Sequence, residues 1–236
     1  PAYLPNRLAS FYERAGRVQT LSGCEGTVSV IGAVSPPGGD FSEPVTQHTT
    51  RFIRCFWALD RDLANARHYP AISWRNSYSE YLQETAKWWS RIPMTWSEQR
   101  EVLMNVLQEE TSLQRIAKLV GPDALPESQR LTLYVAEIIK NAFLQQNSFD
   151  EIDMYCSPKK QLWMMSLLAT FINRSRKLVK DGATLADIRA IPEVDRMNRM
   201  KSEIKNDDVA AMSALEERIN SALDAIGHRN QGRQQF

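Results

Sequence analysis

The residue types that most often do chemistry are present in this sequence, but they do not form a recognisable catalytic set. Cysteines and histidines are far apart, and no two cysteines have the C-x-x-C spacing of a metal or redox site. No segment has the spacing of a phosphate-binding loop, a zinc-protease helix or a serine-hydrolase elbow. We therefore predict no catalytic residue and no metal site in these 236 residues. The residues concerned are His48, His68, His228, Cys24, Cys55 and Cys156.

Two acidic segments are the next candidates. Asp40 and Glu43 lie in a loop rich in proline and glycine, residues 35–44, and such loops often simply connect a strand to a helix. Asp123 and Glu127 surround a proline-rich break, where a carboxylate in the first helical turn is favoured by the helix dipole. From the residue types alone, connection and capping explain both segments.

A basic stretch surrounds the apolar residues 52–57. Its members are Arg51, Arg54, Arg61 and Arg67. Such a stretch is usually a solvated helix face, and less often a nucleic-acid or subunit surface. The whole chain has 29 Lys and Arg against 28 Asp and Glu, a formal net charge of +1, which argues against a nucleic-acid surface spread over the molecule.

The elements that must position these residues differ between the two parts of the chain. The composition, 43% hydrophobic and 24% charged, is that of a globular protein, and the longest uncharged apolar run, residues 162–172, is too short to cross a membrane. In the first part we predict a helix over residues 5–16, a buried strand of the parallel type over 27–34, and a helix over 46–60. This order suggests the end of an α/β domain.

From about residue 76 onward the pattern is helical. A capping box of Thr95 and Glu98 predicts a helix that continues to Gly121, and a second follows the break at residues 122–126. Ser157 and Pro158 predict the start of a third, which runs to about residue 180. We further predict a short helix over residues 184–191, an exposed charged helix over 194–226, and a loose tail from 227.

Several segments together resemble the catalytic A subunit of the V-type and archaeal-type rotary ATPases. They include VIGAVSPPGGDFSEPVT at residues 30–46, HYPAISW at 68–74, LVGPDALP at 119–126 and FLQQNSFDEID at 143–153, with shorter matches at 56–60 and 77–79. The segments occur in the family's order, and the last resembles the archaeal and bacterial branch. Arg75, where many relatives have an apolar residue, and Cys24 depart from the pattern.

The resemblance implies a fold, and it implies that this chain contains only part of the active site. It implies the last part of a RecA-like nucleotide-binding domain over residues 1–80 and a C-terminal helical bundle domain over 81–236. In the family, the phosphate-binding loop and the glutamate that activates water lie upstream of the segment that matches residue 1. We therefore expect this chain alone to be inactive in ATP hydrolysis.

The resemblance also implies an adenine pocket. Tyr69 matches the aromatic residue that stacks on adenine in this family, and Phe149 matches a second aromatic residue that closes the other side. A flat ring suits this role, because it contacts the face of a base through dispersion and π interactions. Gln145, Gln146 and Asn147 either present amides to the edge of the base or merely end a helix, and both readings stay open.

A second set of residues matches the parts that touch the central stalk. The loop with Asp40, Phe41, Ser42 and Glu43 aligns with a stalk-contacting loop, and the corner with Asp123 and Glu127 aligns with one that pushes on the stalk.

The resemblance predicts part of a proton- or sodium-translocating ATPase or ATP synthase. We expect ATP or ADP with Mg²⁺ as ligand, B subunits and stalk subunits as partners, no nucleic acid, and a cytoplasmic place peripheral to the membrane without insertion. The alternatives are a helical interaction module that binds no nucleotide, and a fragment of a RecA-like helicase or secretion ATPase. Balanced charge argues against the helicase, and a lone strand around residue 30 argues against the module.

Overall fold

The computed structural model describes residues 2–90 and 96–233, which form two compact units. One contains the described residues up to 59 together with 72–83, and the other contains residues 60–71 and those from 84 onward. Residues 60–71 therefore pack with the helical part of the chain, although they precede it in sequence. The predicted domain boundary between residues 80 and 81 stays a prediction.

The first unit has little regular structure. Its elements are α1 (Leu4–Tyr12), the antiparallel pair β1 (Gly16–Gln19) and β2 (Glu25–Val28), α2 (Pro44–Phe52), and the short antiparallel pair β3 (Cys55–Phe56) and β4 (Tyr78–Ser79). Helix α1 packs on α2. Phe56 contacts the rings of Phe41 and Tyr78, at centroid distances of 6.1 and 5.7 Å.

Two sequence predictions in this unit are wrong. Of the buried parallel strand predicted at residues 27–34, only residues 27–28 are in a strand, at the end of an exposed antiparallel hairpin; residues 29–34 form an irregular segment in which Ile31 is 88% exposed. A β-branched run becomes a buried parallel strand only between two neighbouring strands, and no described strand lies beside residues 29–34. The helix predicted over 46–60 ends at Phe52, because Cys55 and Phe56 pair with Ser79 and Tyr78.

The second unit is a helical bundle. After α3 (Arg61–Asn65), its helices are α4 (Leu82–Trp89), α5 (Trp96–Val120), α6 (Glu127–Ile139), α7 (Pro158–Lys180), α8 (Leu185–Arg189), α9 (Glu193–Glu203) and α10 (Val209–Arg233). A π-helical turn, Lys140–Leu144, extends α6. Helix α7 lies at the centre, packed against α5, α6 and α10, and its residues Leu168, Phe171 and Ile172 are buried.

The ends of these helices have local causes. Ser157 accepts a hydrogen bond from the Lys160 amide at 3.2 Å and caps α7 as predicted, and Thr184 and Asp187 form a capping box at α8. Gly121 has a φ of 85° just after α5, a conformation that favours glycine. The predicted cap residue Thr95 lies outside the described residues.

The prediction for the last part of the chain is wrong in two respects. The helix predicted over residues 194–226 is interrupted at 204–208, so that α9 and α10 are separate. Residues 227–233 of the predicted loose tail are instead the end of α10, and the rest of the predicted tail lies outside the described residues. A stripe of buried residues, among them Ile219, Leu223 and Ile226, packs α10 into the bundle, and this packing stabilises the helix despite its charged face. No helix within residues 2–90 and 96–233 is long and apolar enough to span a membrane.

Candidate functional site

A cavity of about 390 Å³ in the helical unit contains all four residues predicted to bind the base. Two short segments that are distant in sequence line it, namely Arg67 and Tyr69 on one side and residues 146–149 on the other. Sequence analysis missed Arg67 and Ser148 as lining residues. Arg67 was noted only as part of the basic stretch, and no pattern singled out Ser148. We call this cavity the Tyr69 pocket.

The Tyr69 side of the pocket is a tight turn that follows α3. The Asp60 side chain caps this helix by accepting hydrogen bonds from the amides of Asp62 and Leu63, at 2.9 and 3.2 Å. The chain then reverses through Arg67, which has a φ of 55°, and the Tyr69–Pro70 peptide bond is cis. Tyr69 is 53% exposed, so that much of its ring is available to a ligand.

The opposite side follows the π-helical turn and is held by the buried side chain of Asp153. The Asp153 Oδ2 atom accepts a hydrogen bond from the Asn147 amide at 2.7 Å, and the Asp153 carbonyl accepts one from Gln146 Nε2 at 2.6 Å. The Phe149 amide donates to Asn147 Oδ1 at 3.0 Å, while the Phe149 ring is 96% exposed. The backbone of this segment is therefore fixed, and its aromatic ring projects into solvent.

Two hydrogen bonds join the two sides. The Gln146 amide donates to the Tyr69 carbonyl at 2.7 Å. On the same edge, Gln145 Nε2 lies 3.4 Å from the Arg67 carbonyl. Because the backbone itself makes the shorter of these contacts, the spacing of the two segments depends little on side-chain rotamers.

The side-chain amide groups of Gln146 and Asn147 each have one atom hydrogen-bonded within the protein. Gln146 uses its nitrogen toward Asp153, and Asn147 uses its oxygen toward Phe149. This leaves an acceptor on Gln146 and a donor on Asn147 for a ligand, which together suit an edge with alternating donor and acceptor atoms.

Two titratable side chains, His68 and Lys201, lie next to the segments that line the pocket. His68 is buried, and this burial together with the charges of Lys201 and Lys140 lowers its pKa below the ordinary value. Burial also lowers the pKa of Lys201, while the carboxylates of Asp153 and Asp150 act in the opposite direction. The surroundings of His68 thus favour its neutral form, whereas the two carboxylates favour the charged form of Lys201 against the effect of burial.

Four residues predicted to contact the stalk lie in the first unit, and the carboxylates of two of them accept local hydrogen bonds. Glu43 caps α2 by accepting from the amides of Val45 and Thr46, at 3.0 and 2.9 Å, and these bonds lower its pKa. Asp40 accepts from the Ser42 amide at 2.9 Å, and hydrogen bonds from Ser42 lower the pKa of Asp40. Phe41 is exposed despite its contact with Phe56.

The other two stalk candidates lie in the helical unit, at the start of α6. Arg130 lies 3.8 Å from Asp123 and 3.1 Å from Glu127. Glu127 also accepts a hydrogen bond from the Leu185 amide at 2.7 Å, which ties α6 to α8. Asp123 is almost fully exposed. Glu127 lies in the first helical turn as the capping interpretation predicts, but its contact with the Leu185 amide was not predicted.

Within the described part of the chain, no group of three His, Cys, Asp or Glu residues could hold a metal ion.

Two family profiles match successive parts of the chain. Residues 1–79 match the nucleotide-binding domain of the ATP synthase alpha/beta family, and residues 86–189 match the C-terminal domain of V and A type ATP synthase. These matches confirm the predicted fold class, a segment of a nucleotide-binding α/β domain followed by a helical domain.

Known relatives agree along most of the chain. The V-type ATP synthase alpha chain of Halothermothrix orenii is 49% identical over 228 residues, which is 96% of this chain and 39% of the relative. The A subunit of the A-type ATP synthase of Pyrococcus abyssi is 47% identical over 229 residues, which is 96% of this chain and 22% of the relative. This chain thus spans less than two fifths of either relative.

A solved structure shares the fold. The structure of NeqB, described as a unique ATP synthase subunit from Nanoarcheaum equitans, superposes with a TM-score of 0.58 at 25% sequence identity. The match covers 73% of this chain and 40% of that one.

Proposed function

The chain belongs to the family of alpha chains, also called A subunits, of the V- and A-type ATP synthases, and from this premise we propose that its Tyr69 pocket binds the adenine base of ATP or ADP. The observation that carries the proposal is the single cavity that contains Tyr69, Gln146, Asn147 and Phe149. Two aromatic rings and two amides in one cavity suit a flat, polar-edged heterocycle.

The pocket would recognise the face and the edge of the base by different means. The Tyr69 and Phe149 rings offer stacking surfaces, and stacking contributes about 1–3 kcal/mol for each base. The Gln146 acceptor and the Asn147 donor would face the amino group and a ring nitrogen of adenine. Arg67 also lines the cavity and adds a positive charge near an anionic ligand.

The chemical reaction is a property that we propose for the complete subunit. There, ATP hydrolysis or synthesis would be coupled to ion transport, and the phosphates and magnesium would be bound by residues outside this chain. We accordingly propose that the 236-residue chain does not hydrolyse ATP by itself.

We further propose that the partners are the B subunits and the central stalk of a rotary complex peripheral to the cytoplasmic face of the membrane. Asp40, Phe41 and Asp123 are the best candidates for stalk contact, because they are exposed. Glu43 and Glu127 are weaker candidates, since their carboxylates already bind backbone amides.

Two substitutions of Tyr69 in the complete subunit test the base assignment. Tyr69→Ala should weaken ADP binding by roughly 1–3 kcal/mol, the contribution of one stacked base, whereas Tyr69→Phe should bind nearly as the wild type does. Isothermal titration calorimetry measures both affinities. Tyr155→Ala is a matched control, because Tyr155 is exposed and lies outside the cavity.

An unchanged affinity in Tyr69→Ala would contradict the proposal and favour a helical interaction module. A large loss in Tyr69→Phe would show that binding needs the hydroxyl, which donates to the Ala64 carbonyl at 3.5 Å, and would contradict a role of the ring alone.

A further inference from the structure

The side chain of Lys201 binds the segment that forms one side of the Tyr69 pocket. Its Nζ atom lies 2.7 Å from the Asn141 carbonyl, 2.8 Å from the Gln145 carbonyl and 3.5 Å from Gln145 Oε1. An ammonium group has three N–H donors, so these acceptors use its full hydrogen-bonding capacity. Lys201 does not line the cavity itself.

Two of these acceptors, the carbonyls of Asn141 and Gln145, belong to the end of a helix. The π-helical turn ends at Leu144, and the carbonyls of its last residues have no partner further along the helix. A cation at this end is favoured by the helix dipole as well as by the hydrogen bonds. Lys201 therefore caps the helix that leads into the pocket segment.

The position of Lys201 is itself fixed from the core. Lys160, in the first turn of α7, is fully buried and donates to the carbonyls of Lys201 and Ile204, at 2.7 and 2.5 Å. These carbonyls lie at the end of α9. Lys160 thus caps α9, and Lys201, near the end of α9, caps the helix that leads into the pocket.

From these contacts we infer that Lys201 is a positioning residue for the Tyr69 pocket. It holds Gln145 so that the next amide, that of Gln146, reaches the Tyr69 carbonyl and sets the spacing between the two sides. The effect on nucleotide binding rests on the base-binding function proposed above, whereas the effect on the geometry of the segment does not.

The effect on geometry is tested without nucleotide in the 236-residue chain, by amide hydrogen exchange. Lys201→Met keeps the length of the side chain and removes its three donors. We expect the Gln146 amide to exchange about tenfold faster, while amides in the middle of α7 keep their protection. Lys205→Met, an exposed lysine four residues further on, is the matched control and should leave both unchanged.

The effect on binding is tested in the complete subunit with ADP and with pyrophosphate, both in the presence of Mg²⁺. Lys201→Met should weaken ADP binding about three- to tenfold and leave pyrophosphate binding unchanged, because the segment that Lys201 holds carries residues proposed to contact the base and not the phosphates. In the double variant with Tyr69→Ala, the two losses should be less than additive, since both variants damage the same contact.

Several results would overturn the inference. Unchanged exchange at Gln146, or faster exchange at all amides alike, would mean that Lys201 has no specific role there. If Tyr69→Ala weakens ADP binding and Lys201→Met does not, the positioning role is wrong while the proposed function stands. If neither variant affects ADP binding, the base assignment fails, and with it the role of Lys201 in binding.

Discussion

Lys160 offers a demanding test of the packing in the helical unit, because it is a fully buried lysine with two defined acceptors. Its side chain is 0% exposed, and burial lowers its pKa below the ordinary value, while Cys156, Asp153 and Asp150 act in the opposite direction. The ammonium remains tolerable only because it donates to the carbonyls of Lys201 and Ile204.

We predict that Lys160→Met destabilises the chain by about 1–3 kcal/mol. Two buried carbonyls lose their donor, and each such loss costs about 1–3 kcal/mol. The buried methionine offsets part of this loss of stability, because a buried apolar side chain contributes about 1.5–3 kcal/mol to the free energy of unfolding and no charge has to be desolvated. The net loss is therefore smaller than the sum of the two broken hydrogen bonds.

Urea unfolding followed by far-ultraviolet circular dichroism measures this difference. Lys159→Met is the matched control, because Lys159 is the exposed neighbour on the same helix and its substitution should change stability by less than about 0.5 kcal/mol. A Lys160→Met variant as stable as this control would refute the reasoning. It would mean that the cost of burying the ammonium equals the whole benefit of its two hydrogen bonds.

Two further predictions concern pH and the stalk-contact loop. The pKa of His68 is lower in the folded chain than its ordinary value of about 6.5. As pH falls, the imidazole is therefore protonated in the unfolded chain before it is protonated in the folded chain, and the folded state loses stability below about pH 6.5. His68→Gln should therefore lose less stability than wild type when urea midpoints are compared at about pH 7 and about pH 5. Glu43→Ala should lower the melting temperature more than Asp40→Ala, because Glu43 caps α2. In the assembled complex, Asp40→Ala should leave ADP affinity unchanged and reduce the ions transported per ATP, and a loss of ADP affinity would contradict the stalk assignment.

The helical part of the fold could be predicted well from local patterns. Apolar spacing, the Ser157 cap and the glycine after α5 give nearly the observed bounds of α5 and α7. The interruption at residues 204–208 has a local signal that the apolar spacing concealed, because Asp208 caps α10 by accepting a hydrogen bond from the Ala211 amide at 2.9 Å. The contact that binds the end of α9 could not be predicted, because its donor is the buried amine of the distant Lys160. The strand expected at 27–34 failed for a related reason, since the environment of a strand depends on neighbours that a local pattern does not specify.

The residues that line the pocket could largely be predicted, but the residues that hold its two segments in place could not. Tyr69, Gln146, Asn147 and Phe149 were identified through a resemblance that covers both segments, and the structure places them at one cavity. Asp153 and Lys201 hold these segments, yet neither could be assigned that role from the sequence. The shorter of their contacts are with backbone groups, which have the same chemistry at every position and leave no pattern in the side chains.

The pocket combines a fixed backbone with exposed rings, and this combination bears on how it would bind a base. Asp153, Lys201 and the bond from Gln146 to Tyr69 hold the two segments before any ligand arrives. A base that enters has only to order the side chains of Tyr69 and Phe149, at about 0.5–1.5 kcal/mol for each side chain immobilised. Without the backbone contacts, binding would also have to order the segment itself, and this would remove much of the stacking energy. Residues that never touch the base are therefore expected to control its affinity, and the comparison of ADP with pyrophosphate isolates their effect.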